Sequence, residues 1–117
     1  MAELMNRVST HVLDVAQGTP AKDVPVRLER RLSSDWVMVS SSRTDSDGRC
    51  SQLLPEDEAL RPGLYRLAFD TATYHVEQRN EGFYPVVEIT FLVREGESQF
   101  HIPLLLSPYG YTTYRGR

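Results

Sequence analysis

The sequence predicts an all-β protein, a β-sandwich of about eight strands with one short helix. Strand-like segments recur at regular spacing along the chain, separated by turns rich in Gly, Pro, Asp and Ser. Within these segments apolar and polar residues alternate with a period of two, as in strands that bury one face. One segment late in the chain has instead the length and capping residue of a short helix. Spacing of this kind favours a sandwich over a barrel.

Four strands and a tight turn are predicted in the first half of the chain. The strands cover residues 8–15, 24–32 and 35–44, with a short fourth strand through Leu53 and Leu54. The turn lies at residues 44–49, because Asp-Gly is among the strongest turn dipeptides. It resembles part of a calcium loop, but the closing Glu and the flanking helices of such a loop are missing.

The second half supplies the remaining strands and the helix. Strands are predicted at residues 63–69, 84–93 and 99–106, and a last strand follows the Ser-Pro-Tyr-Gly turn at residues 107–110. The helix is predicted at residues 70–78, with Asp70 as its N-cap. The C-terminal segment is rich in Leu and Tyr, and a chain end of this composition has to be buried, paired as a strand or held in a site.

Length and composition fit one globular domain spanning residues 1–117. The net charge of −3 gives no electrostatic reason to expect nucleic acid or an anionic membrane as a partner. Cys50 is the single cysteine, which excludes a disulfide framework and a cysteine-based metal site. The N-terminus lacks a basic stretch followed by an apolar run, and no apolar run approaches the ~20 residues of a membrane helix. We therefore expect a cytoplasmic protein.

The histidines and one arginine are the candidate catalytic residues. In the strand at residues 99–106, alternation places His101 opposite the apolar face formed by Phe100, Ile102, Leu104 and Leu106, and thus away from the sandwich interior. His101 and His11, two imidazoles with pKa values near neutrality, could transfer protons. Arg49 could stabilise a developing oxyanion or bind an acidic ligand. Each of these residues could instead have a structural or surface role, and His75 is predicted to lie on the surface of the helix.

Two further sites were considered. Tyr114, Arg115 and Gly116 combine a phenol, a guanidinium and a residue that lets a ligand approach the backbone, which indicates a binding corner. A metal site at His11 and His101 would have no third ligand that the sequence identifies, and neither a two-histidine zinc motif nor a phosphate-binding loop occurs. No metal is therefore predicted.

Four blocks occur together in this chain: STHVLD at residues 9–14, TDSDGR at 44–49, HIPLLLSPYGY at 101–111 and TYRG at 113–116. In these blocks the chain resembles the transthyretin-related 5-hydroxyisourate hydrolase family, and the resemblance covers nearly the whole chain. It implies the transthyretin fold, an eight-stranded sandwich with one short helix. It also implies a homotetramer, a dimer of dimers with active sites in the channel between dimers, and no cofactor or metal.

The resemblance further implies an activity and the residues that carry it. The reaction is hydrolysis of 5-hydroxyisourate to 2-oxo-4-hydroxy-4-carboxy-5-ureidoimidazoline in urate catabolism, by histidine-assisted attack of water on a cyclic amide bond. The residues that match the family's catalytic groups are His11, Arg49 and His101; those expected to contact substrate are His11, Arg49, Tyr114, Arg115 and Gly116. The sequence leaves open which histidine is the base.

One departure and two alternatives accompany this interpretation. The family's chains usually end Tyr-Arg-Gly-Ser, whereas here Arg117 follows Gly116. The first alternative is a transthyretin-like hormone-binding protein without catalysis, although the family's binders lack the two histidines, the arginine and the Tyr-Arg-Gly ending. The second is a β-sandwich interaction module without chemistry.

Overall fold

The computed structural model describes residues 6–117. Within this range the chain forms nine strands and one helix: β1 (Arg7–Asp14), β2 (Thr19–Pro20), β3 (Pro25–Leu32), β4 (Asp35–Arg43), β5 (Arg49–Cys50), β6 (Gly63–Phe69), α1 (Thr71–Glu77), β7 (Val87–Val93), β8 (Gln99–Ser107) and β9 (Gly110–Thr113). The strands form two sheets, and the predicted sandwich with one short helix is confirmed. The helix is not long and apolar enough to cross a membrane.

The first sheet carries three of the candidate site residues, His11, Arg49 and His101. Its strand order is β2–β1–β8–β9, and β5 pairs with β1 beside β2. The second sheet has the order β4–β3–β6–β7. Strands β1 and β8, which come from opposite ends of the described chain, pair in parallel, whereas the other strand pairs within residues 6–117 are antiparallel. The parallel pair therefore brings residues 7–14 beside residues 99–106.

The core lies between the two sheets and follows the predicted alternation. Each sheet contributes side chains that are at most 1% exposed, namely Val8, Val12, Leu104 and Leu106 from the first sheet and Val26, Leu28, Tyr65, Leu67, Phe69, Val87 and Val93 from the second. Burial of this many large apolar groups is the main force that holds the sheets together. In β8, Phe100 and Ile102 are each 4% exposed, which confirms that the face opposite His101 is the core face.

Two predicted strand assignments are wrong in detail. Leu53 and Leu54 are buried but lie outside the strands, and the short strand of this region is β5 instead. Their burial comes from a loop that crosses the core edge, where the Leu53 amide donates to the carbonyl of Val8 at 2.7 Å. Strand β7 begins at Val87 rather than at residue 84.

The helix is confirmed, but the predicted exposure of one of its residues is wrong. Asp70 caps α1 by accepting a hydrogen bond from the Thr73 amide at 3.1 Å, as expected for an N-cap. His75, predicted at the surface, is 3% exposed, while Val76 beside it is 73% exposed. The loop after the helix covers the imidazole, because Gly82 packs directly against its ring.

Candidate functional site

The outer face of the first sheet gathers three strands around one cleft. In the parallel pair, Ser9 is the register partner of His101, and in the antiparallel pair His11 is the partner of Arg49. Register partners in a sheet project from the same face, so these four side chains leave the sheet on the side away from the core. The cleft has a volume of about 260 Å³, and Arg7, Ser9, Arg49, His101, Gly116 and Arg117 are among the residues that line it.

Arg49 is positioned by the turn before it. The Asp45 carboxylate accepts hydrogen bonds from the backbone amides of Asp47 and Arg49, each at 2.9 Å. This is the local side-chain-to-backbone bonding that stabilises Asp-initiated turns. The Gly48 amide closes the turn with a 2.9 Å bond to the Asp45 carbonyl. The guanidinium of Arg49 therefore projects from a strand whose start is fixed at several points.

His101 is held on three sides. Its Nδ1 lies 2.8 Å from Oγ of Ser9. The Gly116 amide donates to the His101 carbonyl at 2.7 Å, which places the last residues of the chain against the ring. A Cβ at Gly116 would lie 2.5 Å from Cδ2 of His101, so only glycine fits without displacing the imidazole. No hydrogen bond joins Nε2 of His101 to the part of the chain that the structure describes, which leaves this atom for the cleft.

His11 lies at the edge of this arrangement. Its Nε2 is 2.9 Å from the backbone carbonyl of Asp47. Because a carbonyl can only accept, Nε2 carries the proton and Nδ1 is the remaining ring nitrogen. His11 is not among the residues that line the cleft, but its charge lowers the pKa of His101.

The cleft is positively charged. Three arginines line it, and no acidic residue is found among its described lining residues. Burial lowers the pKa of His101, and the nearby charges of Arg49, His11 and Arg7 lower that pKa further. His101 is therefore neutral at pH 7, since the ordinary value of 6.5 is already below that pH. A neutral imidazole that shares a cleft with a guanidinium can take a proton from water while the cation stabilises an anion.

Tyr114 and Arg115 lie outside this cleft. Both line a separate pocket of about 310 Å³, together with Phe91, Phe100 and Ile102. The Arg115 guanidinium stacks 4.8 Å from the centre of the Phe100 ring and pairs with the Glu97 carboxylate at 3.1 Å. Of the sequence-predicted site residues, the structure thus gathers Arg49, His101 and Gly116 in one cleft, with His11 beside Arg49, and leaves Tyr114 and Arg115 apart from them.

Arg7 and Ser9 are among the residues that line the cleft and that sequence reasoning did not identify as site residues. Period-two alternation from His11 places both on the outer face of β1, so their orientation was predictable. Their closeness to His101 was not, because it depends on the parallel register of β1 and β8. Within residues 6–117 no group of three or more His, Cys, Asp or Glu residues is arranged to hold a metal ion.

Comparison with known proteins gives the same family at the level of sequence and of structure. The sequence model of the HIUase/Transthyretin family matches residues 8–116. The 5-hydroxyisourate hydrolase of Mus musculus is 45% identical over 118 residues, which cover 99% of both chains. The solved 5-hydroxyisourate hydrolase of Klebsiella pneumoniae is 33% identical with a TM-score of 0.83, over 97% of this chain and 100% of the other.

The fold is equally similar to that of a transthyretin. Sea bream transthyretin, solved in complex with thyroxine, is 31% identical with a TM-score of 0.87, over 94% of each chain. Similarity of the backbone therefore does not separate hydrolases from binders, but a family match over nearly the whole described range establishes common descent. The chain belongs to the HIUase/transthyretin family.

Proposed function

We propose that the chain hydrolyses 5-hydroxyisourate to 2-oxo-4-hydroxy-4-carboxy-5-ureidoimidazoline, a step of urate degradation. The observation that carries the proposal is the cleft in which His101 and Arg49 meet, with His11 opposite Arg49 in register. Relatives named 5-hydroxyisourate hydrolase at 40–45% identity over most of the chain support the same activity.

The reaction adds water across a cyclic amide bond. One histidine takes a proton from the attacking water while the water oxygen bonds to the carbonyl carbon, and Arg49 stabilises the oxygen that becomes anionic. The carbon–nitrogen bond of the ring then breaks, and the imidazolium returns its proton to the leaving nitrogen. The product is the opened ring bearing a new carboxylic acid group, which releases the second proton of the water to solvent and becomes a carboxylate. A neutral His101 suits the role of base at physiological pH, since its lowered pKa keeps the ring able to accept a proton.

Hormone binding is the alternative that the fold allows. A carrier for a large, mainly apolar hormone would be expected to present an apolar pocket with few polar groups. The residues that line the cleft at His101 instead include three arginines, whose positive charge favours a small acidic heterocycle. The charge of the cleft therefore favours the hydrolase over the binder.

We extend the proposal to assembly and location. The family resemblance supports a homotetramer built as a dimer of dimers, with the outer face of the first sheet lining a channel between dimers. Contact of Tyr114 and Arg115 with substrate stays a prediction, as does a cytoplasmic location. The interaction-module alternative predicts instead a monomer or a weak dimer, so the mass of the particle in solution distinguishes the two.

Substitution of His101 or of Arg49 tests the proposal. His101→Asn and Arg49→Glu are each expected to lower kcat/KM for freshly made 5-hydroxyisourate by about 10²–10⁴-fold, because each removes a proton acceptor or an oxyanion contact. Absorbance decay measures the rate against spontaneous decay without protein. Light scattering after size exclusion checks that both variants keep the wild-type mass, expected to be tetrameric. Near-wild-type turnover in either variant, or no turnover by the wild type, would overturn the assignment.

A further inference from the structure

The environment of His101 contains one polar partner that the proposed mechanism does not use, the hydroxyl of Ser9. Ser9 is 7% exposed, and its Oγ lies 2.8 Å from Nδ1 of His101. The two residues are register partners in the parallel pair of β1 and β8 although they are 92 positions apart. The contact is therefore fixed by backbone pairing and does not depend on a flexible loop.

The tautomer that a histidine base requires determines whether the Ser9 hydroxyl donates or accepts in its hydrogen bond with His101. A neutral imidazole carries its proton on one nitrogen and a lone pair on the other. For His101 to accept a proton from water in the cleft, the lone pair must be on Nε2 and the proton on Nδ1. A buried Nδ1–H without an acceptor would cost the desolvation penalty of an unmade hydrogen bond. The Ser9 hydroxyl lies where it accepts that hydrogen bond.

We propose that Ser9 is a positioning residue for His101: its hydroxyl accepts the Nδ1–H, holds the ring in one orientation and keeps the Nε2 lone pair directed into the cleft. This inference rests on the proposed hydrolase function for its kinetic consequence, but not for its structural one. Ser9 remains the acceptor when Nε2 gains a proton, because imidazolium donates from both nitrogens. Ser9 therefore stabilises the reactive tautomer before the step and the cation after it.

Other charged groups surround His101 and affect the same equilibrium. Arg7 and His11 face it from β1, Arg49 faces it from β5, and Arg117 lines the same cleft. These cations oppose protonation of the ring, whereas a hydrogen bond from Nδ1–H to Ser9 favours it. Removal of the Ser9 hydroxyl is thus expected to lower the pKa of His101, a result that simple loss of folded protein does not produce.

The kinetic test uses three variants. Ser9→Ala is expected to lower kcat by about 10–100-fold with a smaller change in KM, because the base is misoriented. The acidic limb of its kcat/KM profile should move to lower pH. Ser9→Thr keeps a hydroxyl at the same position and should restore most of the activity. Ser107→Ala is the matched control, since it loses a 3.1 Å serine hydrogen bond to the Gly110 carbonyl at the far end of β8 and should leave the profile unchanged.

A second measurement is independent of turnover, and its wild-type part does not depend on the folding of any variant. Long-range ¹H–¹⁵N spectra of the wild-type protein at neutral pH should show His101 protonated on Nδ1, and Ser9→Ala should lose that preference. A wild-type ring protonated on Nε2, or a Ser9→Ala variant with unchanged kcat and titration, overturns the inference. Hydrolysis absent from a wild-type protein whose His101 carries the Nδ1 proton would instead refute the proposed function and leave the positioning role of Ser9 standing.

Discussion

The pKa values of His101 and His75 are shifted in the same direction, but the two imidazoles have different surroundings. Burial lowers the pKa of both imidazoles. His101 has a hydroxyl partner, a cleft in front of Nε2 and cations nearby, whereas both ring nitrogens of His75 are buried without a hydrogen-bond partner in the described residues. A lowered pKa therefore does not identify a catalytic histidine. Access to the cleft and hydrogen-bond partners distinguish His101, the proposed base, from the buried and unpaired ring of His75.

His101 and His75 each have a glycine packed against the imidazole ring. Gly116 lies against His101 at the cleft, and Gly82 lies against His75 beneath the loop that follows α1. An added methyl group at either position would displace an imidazole. The same glycine-to-alanine substitution can therefore be made against the imidazole of the proposed active site and against a buried imidazole outside it.

The largest effect is expected for Gly116→Ala. The new Cβ would lie 2.5 Å from Cδ2 of His101, so the ring must turn away from its position. We expect kcat for 5-hydroxyisourate to fall by about 10–100-fold, the order expected for a misplaced catalytic group, with little change in Tm. Gly110→Ala is the control, because its Cβ would meet only Oγ of Ser107 at 3.8 Å. Equal activity in the two variants would contradict the role assigned to the Gly116 contact.

The second-largest effect is expected for Gly82→Ala, on thermal stability. Gly82→Ala would bring a Cβ into overlap with the His75 ring, which is buried and has little room to move. Overpacking of this kind costs typically about 1–3 kcal/mol, so Tm in a thermal melt should fall by several degrees relative to Gly110→Ala. The kcat of the folded variant should match the wild type. A loss of turnover larger than the loss of folded protein would show that His75 and the cleft are coupled.

The smallest effect concerns the pH dependence of stability. His75 has its ordinary pKa of 6.5 when the chain is unfolded and a lower pKa when it is folded. As the pH falls below 6.5, the unfolded state therefore binds the proton first, and stability is lost with falling pH until the folded-state pKa is reached. His75→Phe removes this term, so the decrease of Tm between pH 7.5 and pH 5 should be smaller than in the wild type. His101 contributes a loss of the same sign and remains in the variant.

An unchanged decrease of Tm in His75→Phe would mean that His75 does not stay neutral in the folded protein. The Asp14 carboxylate is the group that could hold the proton there, because its charge raises the pKa of His75 against the effect of burial. Asp14 also accepts a 2.6 Å hydrogen bond from the Tyr74 hydroxyl. Comparison with Tyr74→Phe would then show whether the carboxylate had turned toward the imidazole.

The sheets of this protein were largely predictable, because alternation with a period of two specifies which side chains face the core. The outward orientation of His101 followed from Phe100 and Ile102 on either side of it. Strands shorter than about four residues are too short to show this alternation of apolar and polar residues. The two leucines at positions 53–54 look like a strand because they are apolar, whereas β5, with only Arg49 and Cys50, does not.

The burial of His75 could not be read from the helix. Seven residues make about two turns, too few to define an apolar face, and the apolar Val76 is the exposed neighbour. Burial depends on the loop that returns over α1, where the Thr71 hydroxyl donates to the Tyr84 carbonyl at 2.5 Å. In the same way, the site residues could be named from the sequence, but the contact between Ser9 and His101 required the register of a parallel pair.

The parallel pairing of β1 with β8 also has a kinetic consequence. Ser9 and His101 are separated by 92 positions, so their contact closes a loop that contains most of the chain. Closing a loop of this length carries a large entropy cost and slows the formation of such contacts. On dilution from denaturant, recovery of turnover should therefore follow the last phase of refolding and not the first appearance of sheet structure.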